Sequence, residues 1–550
     1  MGRDTTRSRS VLQDVLIYTP VLVCILVMLP RLASPQFGLL DDGWNLGIAR
    51  EVANGNWQAS LDAQAVRFRP LYWLLPGLIY RLVGAQPLWY FCYGLLLFAA
   101  ATACLIAVVR AEGGSRLQAW LSGVLFALSG PTIEAYYTLP KSESMQVAWL
   151  AASLLPVTGI SRQRSRLKRT VCVGASAFFL LLAYFSKETT LVMLPIAGAW
   201  LLVAWFARRG QAEHDRVPDR KAYLVANAVC LPLILLLAYR FFLPSEVGLY
   251  VHNYGSALQG LLASLVRWAG WLLRDFPYLL PLGLYFGISL LRARGRWPSP
   301  LVLEGLAWMI GWVGVFLPWG FTDEYYLLPC AIGCAMFSAS VLERAIREVA
   351  SRNRGQRWLA RGSLAAAVLG LALTLPNNLT TARIQLTVDA VNAEALASIA
   401  AELRANSTLI VYLPAAREYY DEIRIHLTQL LARPDLTIRS SVDDPSLAGL
   451  PAEGTRFLLV PYIQGRPYFG VRVGIGEEDA QTAEAFVRQD AGAEVLPVRE
   501  FIRGFTRTNI NLPALLCPLV GRSVYCSQPR DAFESESFIY GWRLLSLGNR

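Results

Sequence analysis

The chain has 550 residues, of which 54% are hydrophobic and only 17% are charged, and its mean hydropathy is +0.38. Soluble domains usually carry about 25% charged residues, so this composition excludes an ordinary soluble protein and predicts an integral membrane protein. The net charge of +11 follows from the topology described below, and we do not take it to indicate nucleic-acid binding.

Membrane spans are the first predicted elements. Apolar runs of about 20 residues are long enough to cross a bilayer, and the sequence has about eleven of them. They lie near 11–33, 88–109, 117–138, 143–160, 170–186, 189–207, 222–243, 275–291, 301–319, 325–342 and 362–376. The first run is long and ends in Pro30-Arg31 rather than in small residues, so we expect a retained anchor instead of a cleaved signal peptide.

The orientation follows from the basic residues. Arginine and lysine are concentrated in the N-terminus and in alternate connecting segments, near 162–169, 208–221, 292–296 and 344–357. Because basic connectors stay in the cytoplasm, the N-terminus is predicted to be cytoplasmic. The expected location is the plasma (inner) membrane, crossed many times.

The chain divides into two predicted domains. Residues 1–376 form an all-α transmembrane module with a large outer loop at about 34–87. From 377 to 550 the pattern changes to buried strands at 409–413 and 457–460, with an amphipathic helix at 416–432 between them. This predicts an α/β domain, placed outside the membrane by the odd number of spans.

Cys517 and Cys526 lie in this tail, whereas the other cysteines lie in apolar spans. An extracytoplasmic compartment permits disulfides, and the segment between the two contains a turn-forming Gly521. We therefore predict a Cys517–Cys526 disulfide.

The first candidate chemistry follows the first span. Asp41 and Asp42 begin a predicted short helix that ends at Asn54-Gly55. One aspartate could simply cap this helix. Since two adjacent carboxylates cannot both cap, one is free to act as a base or to bind a divalent cation.

A second candidate is the pair Arg67 and Arg69. The residue before Pro70 is extended, so both side chains project to one side. Pro70 suits the first turn of a helix over 71–83, and a helix N-terminus favours an anion. Two guanidinium groups there predict a phosphate site; the alternative is anchoring to lipid headgroups.

Further charged residues are predicted at the outer ends of spans, where charge is costly and is a sign of function. Together with the acidic pair, they suggest one polar cavity open to the outer leaflet. Lys187 and Glu188 could instead form a simple solvated ion pair in their turn. The residues are Lys141, Glu143, Lys187, Glu188, Asp323 and Glu324.

At these residues the sequence resembles the GT-C superfamily of polytopic glycosyltransferases, which includes protein O-mannosyltransferases, lipid A aminoarabinose transferases and mycobacterial arabinosyltransferases. The family places an acidic pair just after the first span, as in 37–44. It has a helix that begins with a basic residue before Pro and Leu-Tyr-Trp, as in 69–84, and a Lys that ends an early span, as in 185–187. The resemblance covers residues 11 to about 210. Aminoarabinose transferases usually carry Lys where this chain has Arg69, so the donor sugar is not indicated.

The resemblance implies inverting transfer of a sugar from a polyprenyl-phosphate donor, held in the membrane lipid, to an envelope lipid, glycan or protein on the outer face. It implies no cofactor, although Asp42 could hold a divalent cation. The implied roles are proton acceptor for Asp41, acceptor orientation for Asp42, phosphate binding for Arg67, Arg69, Lys141 and Lys187, and lining of the cavity for Glu143, Glu188, Asp323 and Glu324.

Two other classes of protein remain open. In a transporter or lipid flippase of cell-envelope precursors, the same charges would line a substrate path. The sequence has neither an inverted repeat nor a pair of Gly/Pro-broken spans to favour this. In a non-catalytic envelope assembly protein, the tail would bind a partner.

Overall fold

The structure is a computed structural model. It describes residues 14–39, 41–61, 68–158, 160, 165–210, 221–242, 258–292, 299–317, 324–413, 417–440, 456–465, 480–485, 495–510 and 533–547. Its helices are α1 (Thr19–Ala33), α2 (Asp42–Ala53), α3 (Pro70–Val83), α4 (Pro87–Ala111), α5 (Arg116–Ala127), α6 (Gly130–Tyr137), α7 (Ser142–Leu154), α8 (Arg166–Ser186), α9 (Met193–Gly210), α10 (Lys221–Phe242), α11 (Leu258–Asp275), α12 (Leu279–Arg292), α13 (Pro300–Phe316), α14 (Leu328–Glu348), α15 (Arg354–Glu402) and α16 (Arg417–Ile425). The strands are β1 (Thr408–Val411), β2 (Thr437–Ser440), β3 (Arg456–Gln464), β4 (Val495–Ile510) and β5 (Phe533–Leu547).

The long apolar helices make this chain a multi-pass membrane protein. Within the described ranges, six helices have the length and hydropathy needed to cross a membrane: Asp14–Ala33, Pro87–Ala111, Arg166–Ser186, Glu188–Trp205, Tyr325–Glu348 and Arg354–Glu402. Three shorter apolar helices are Lys221–Leu236, Leu279–Arg292 and Pro300–Phe316. The total of about eleven spans stays a prediction.

One expected span is not a single helix. The run predicted at 117–138 is divided into α5 and α6, because Ser129 adopts an extended conformation and Pro131 starts a new helix at its first turn. Every residue of α6 is buried. The break therefore delivers a short, enclosed helix next to the segment that carries Lys141.

The predicted division at residue 376 falls inside a helix. Helix α15 continues through Pro376 for 49 residues, which corresponds to roughly 74 Å at 1.5 Å per residue. That is more than twice the hydrocarbon thickness of a bilayer, about 30 Å. Its last part enters the core of the tail, where Val388, Val391 and Ile399 are buried with the sheet residues.

The tail is a small α/β unit, and the strands expected at 409–413 and 457–460 are confirmed. Its five-stranded sheet has the order β2-β1-β3-β5-β4. Strand β1 runs parallel to β2 and β3, and β5 runs antiparallel to β3 and β4. Asn392 of α15 accepts hydrogen bonds from Tyr540 at 2.7 Å and from Trp542 at 2.8 Å, which fixes the sheet to the long helix.

The segment after the first span holds two helices, as predicted. Helix α2 ends before Asn54, and α3 begins at Pro70 and ends before Gly84, which has a positive φ of 68°. The two helices pack closely, since a Cβ at Gly77 would lie 2.6 Å from a methyl carbon of Val52. This contact fixes the two segments that carry the acidic pair and Arg69.

Candidate functional site

Asp41 occupies an unusual backbone position at the start of α2. Its φ is +66°, in the left-handed region, which Asp and Asn adopt more readily than most residues. Its carbonyl oxygen accepts the first helical hydrogen bond from Asn45, but its side chain makes no capping bond. Helix capping therefore does not account for the Asp41 carboxylate, whose side chain is 54% exposed.

Asp42 has the opposite environment. It is buried, and its Oδ2 accepts a hydrogen bond of 2.7 Å from the Gly38 amide. It lies close to Asp389 of α15, which forms a buried ion pair of 2.6 Å with Arg31. Burial raises the pKa of the Asp42 carboxyl to about 7, although the Lys141 ammonium works in the opposite direction. Asp42 is thus fixed in the protein, and Asp41 is accessible.

Lys141 contacts the accessible aspartate. Its ammonium lies 2.8 Å from the Asp41 carboxylate, and its own side chain is only 7% exposed. The turn before α7 that carries Lys141 approaches α4 closely, because a Cβ at Gly94 would lie 3.0 Å from Pro140. The Lys141 ammonium is therefore buried, and the Asp41 carboxylate that it contacts lies on its solvent side.

Arg69 forms a two-pronged ion pair with Glu188. Its Nε and one terminal nitrogen donate to the two carboxylate oxygens at 2.8 and 2.6 Å. The rings of Phe68 and Phe185 pack edge to face at 5.7 Å, which holds the Arg69 segment against the end of α8. The guanidinium side chain is 12% exposed and that of Glu188 is 44% exposed.

Lys187 pairs with Glu143 and not with its neighbour Glu188. Both members are almost fully buried, at 4% and 2% exposure of their side chains. Ser142 donates a hydrogen bond of 3.0 Å to the same carboxylate, and the ammonium lies 4.8 Å from the ring centre of Tyr326. The alternative of a simple solvated Lys187–Glu188 pair does not hold, because these consecutive residues pair with Glu143 and Arg69 respectively.

Tyr72 lies among these groups, although the sequence did not single it out as a site residue. It is buried, and burial raises the pKa of its phenol, with Asp41 and Glu143 acting in the same direction and Arg69 opposing them. The charges of three separate segments therefore act on one hydroxyl. The signal in the sequence was its place in the Leu-Tyr-Trp motif after Pro70.

The structure thus brings six of the predicted site residues into three ion pairs at one end of the helical bundle. Arg67, Asp323, Cys517 and Cys526 lie outside the described residues, and only the backbone of Glu324 is described, at the start of a 3₁₀ turn.

Two further acids near Asp41 were missed. Asp389 and Glu422 both belong to residues 377–550, which the sequence predicted to be a separate domain. Glu422 accepts hydrogen bonds from the amides of Gly43 and Trp44 at 2.6 and 2.9 Å. Both carboxyls are distinguished by their burial, with Asp389 2% and Glu422 4% exposed. A sequence gives no direct measure of burial, so neither acid could be singled out from it.

A metal site does not emerge from these carboxylates. Among the described residues, no three or more His, Cys, Asp or Glu side chains are grouped so that they could hold an ion. What the site offers is a half-exposed carboxylate next to cations that lie deeper.

The whole fold is similar to that of two solved enzymes. The apo crystal structure of ArnT from Cupriavidus metallidurans matches with a TM-score of 0.50 and 14% identity, over 89% of this chain and 96% of that chain. The apo oligosaccharyltransferase of Archaeoglobus fulgidus matches with a TM-score of 0.50 and 12% identity, over 96% and 88%. No protein-family model matches the sequence, and no curated protein does.

Both solved proteins are GT-C enzymes. At these identities the likeness concerns the fold. It confirms, at that level, the GT-C resemblance seen in the first 210 residues, and it extends over the later helices and the tail.

Proposed function

We propose that this protein is a glycosyltransferase that moves a sugar from a polyprenyl-phosphate donor to an acceptor hydroxyl in the cell envelope. The acceptor is a lipid, a glycan or a protein, and transfer takes place at the outer face of the membrane. The N-terminus is then cytoplasmic and the tail extracytoplasmic.

One observation carries the proposal. Asp41 presents a half-exposed carboxylate 2.8 Å from the Lys141 ammonium, and Arg69 reaches the next residue of the same turn, with a hydrogen bond of 3.4 Å to the Ser142 hydroxyl. A base must be reachable by the acceptor, and a leaving phosphate needs cations that are already in place. Both conditions are met at the same end of the bundle.

The reaction is a single displacement. The acceptor oxygen attacks the anomeric carbon while its proton passes to the Asp41 carboxylate. The bond between the anomeric carbon and the phosphate oxygen breaks, and the polyprenyl phosphate leaves with the electron pair. Attack from the side opposite the phosphate inverts the anomeric configuration. General base catalysis of this kind contributes about 10²–10⁴-fold.

The cations would act on the phosphate. In the structure the three cations Arg69, Lys141 and Lys187 are balanced by three carboxylates. A donor phosphate can bind Arg69 through the terminal nitrogen that Glu188 does not engage, or it can replace Glu188, which is the more exposed member of that pair. The electrostatic stabilisation of the phosphate by these cations increases during the reaction, because the phosphate acquires a second negative charge as it leaves.

Asp42 orients the acceptor side of the site. Its bond to the Gly38 amide and its burial hold it behind Asp41.

The direct test uses the purified protein in lipid with a polyprenyl-phosphate sugar and candidate acceptors. Release of polyprenyl phosphate together with a glycosylated acceptor is the expected result. Movement of an intact lipid-linked sugar across the bilayer without release would instead favour a transporter or flippase. Absence of both activities, with a partner retained on the tail, would favour an assembly protein.

A further inference from the structure

The N-terminus of α2 is capped from a remote part of the chain. The first amides of a helix have no partner inside it and usually bond to a nearby side chain. Here the amides of Gly43 and Trp44 donate to the two carboxylate oxygens of Glu422, at 2.6 and 2.9 Å. Glu422 lies on α16 in the tail, 379 and 378 residues further along.

Helix α16 approaches α2 so closely that a side chain at position 43 would have to displace Glu422 and His426. A Cβ at Gly43 would lie 2.5 Å from Glu422 Oε2 and 2.9 Å from Nδ1 of His426, one helical turn later. Real side chains do not tolerate these distances without a shift. The glycine after the acidic pair therefore has a structural reason, which is the docking of the tail.

Glu422 itself is held firmly. Tyr419, Ile423 and Leu427 of the same helical segment are buried in the core formed with α15 and the sheet. Tyr420 donates a hydrogen bond of 2.9 Å to the carbonyl of Ile438. The carboxylate is thus presented to α2 from a packed element.

This anchor bears directly on Asp41. The left-handed backbone conformation of Asp41 costs energy and is maintained only where neighbouring contacts hold it. On one side the segment is held by the Asp42 bond to Gly38, and on the other by the bonds of Gly43 and Trp44 to Glu422. Loss of the second contact leaves the first turn of α2 free to fray.

We propose that Glu422 is a positioning residue through which the tail domain sets the geometry of Asp41. The inference rests on the proposed glycosyl transfer with Asp41 as base. The two hydrogen bonds join the tail to the first turn of α2, so they exist only while the tail is docked. Transfer then depends on a docked tail.

The test compares Glu422→Ala with Asp421→Ala in the full-length protein in lipid. Asp421 is the adjacent residue, its side chain is 42% exposed, and it pairs with Arg424 of its own helix at 3.1 Å. Glu422→Ala is expected to lower kcat by about 10–10²-fold, the size of effect that small misplacements of a catalytic group produce. KM for the donor should change little, since Arg69 lies on a different segment and keeps its contacts. Asp421→Ala should transfer normally.

Hydrogen exchange gives a structural readout. The amides at 42–46 should exchange faster in Glu422→Ala and remain protected in Asp421→Ala. Should Glu422→Ala fail to fold, Glu422→Gln carries the test, because it keeps one of the two acceptors at the same volume. A lower kcat with unchanged KM supports the inference, and an unchanged kcat overturns it.

A double-mutant cycle separates this inference from the proposed function. When Asp41→Asn is already present, adding Glu422→Ala should cause no further loss, because residues that act as a unit are not additive. Normal transfer by Glu422→Ala, with Asp41→Asn inactive, overturns the positioning role alone. Normal transfer by Asp41→Asn overturns the general base and this inference with it.

Discussion

Replacement of Asp41 by Asn is the sharpest test of the site. Asn has nearly the same shape, but its amide cannot accept the acceptor's proton. We expect turnover to fall by about 10²–10⁴-fold, the usual contribution of a general base. In free energy this raises the barrier by about 2.7–5.4 kcal/mol, since each factor of ten is about 1.36 kcal/mol.

The effect on folding should be much smaller. Asp41 makes no side-chain cap that could be lost, and Asn tolerates the left-handed backbone as Asp does. The ion pair with Lys141 is lost, but the Asp41 side chain is 54% exposed, and Asn can still accept a hydrogen bond from the ammonium. Exposed pairs contribute about 0–1 kcal/mol, and breaking a fully buried one costs about 3–5 kcal/mol. Because the Lys141 ammonium is buried but keeps a hydrogen bond to Asn, the free energy of unfolding should fall by about 1 kcal/mol, near the lower of these figures.

The assay is sugar transfer by the purified variant in lipid, together with its thermal stability. Asp14→Asn is a matched control, because Asp14 is also 54% exposed and lies 2.8 Å from its cation, Arg116. It lies at the start of the first candidate span, Asp14–Ala33, about 30 Å along the helix from that span's end. Near-normal transfer by Asp41→Asn with loss in Asp42→Asn would exchange the two roles. Near-normal transfer by both would refute the mechanism.

Three further predictions concern the cations, the tail and the topology. Arg69→Ala should raise KM for the donor and lower kcat, Arg69→Lys should keep partial activity, and Glu188→Gln should lower KM by freeing the guanidinium; unchanged KM in all three variants would place the phosphate elsewhere. Mass spectrometry of the unreduced protein should find Cys517 bonded to Cys526, a link worth about 2–3 kcal/mol to the tail, and two free thiols would contradict it. A reporter fused behind 377–550 should be active only in the outer compartment, and activity in the cytoplasm would show a miscounted span.

The helices near the first span were predictable because their signals are local. Pro70 at the first turn and Gly84 after the last turn define α3 in the sequence, and the structure has the same ends. The break of the run at 117–138 was missed, since hydropathy does not register a short extended segment inside an apolar stretch. Pro376 suggested a domain boundary, but a packed helix can continue through a proline.

The partners in the site were not predictable from spacing. Arg69 and Glu188 are 119 residues apart, and Asp41 and Lys141 are 100 apart. The sequence placed these residues at the same side of the membrane, but no periodicity encodes which acid faces which cation. The contact of Glu422 with α2 was even less predictable from the sequence, because the tail carries no motif of the family.

Burial divides the three ion pairs into different roles. Both members of the Glu143–Lys187 pair are almost completely buried, and breaking such a pair leaves an uncompensated charge at a cost of about 3–5 kcal/mol; this pair is best suited to hold α7 and α8 together. In the other two pairs the cation is buried and the carboxylate is exposed, with 12% against 44% for Arg69 and Glu188, and 7% against 54% for Lys141 and Asp41. The accessible acids can therefore meet a hydroxyl that arrives from solvent, while the cations lie where a phosphate attached to a membrane lipid would have to be held.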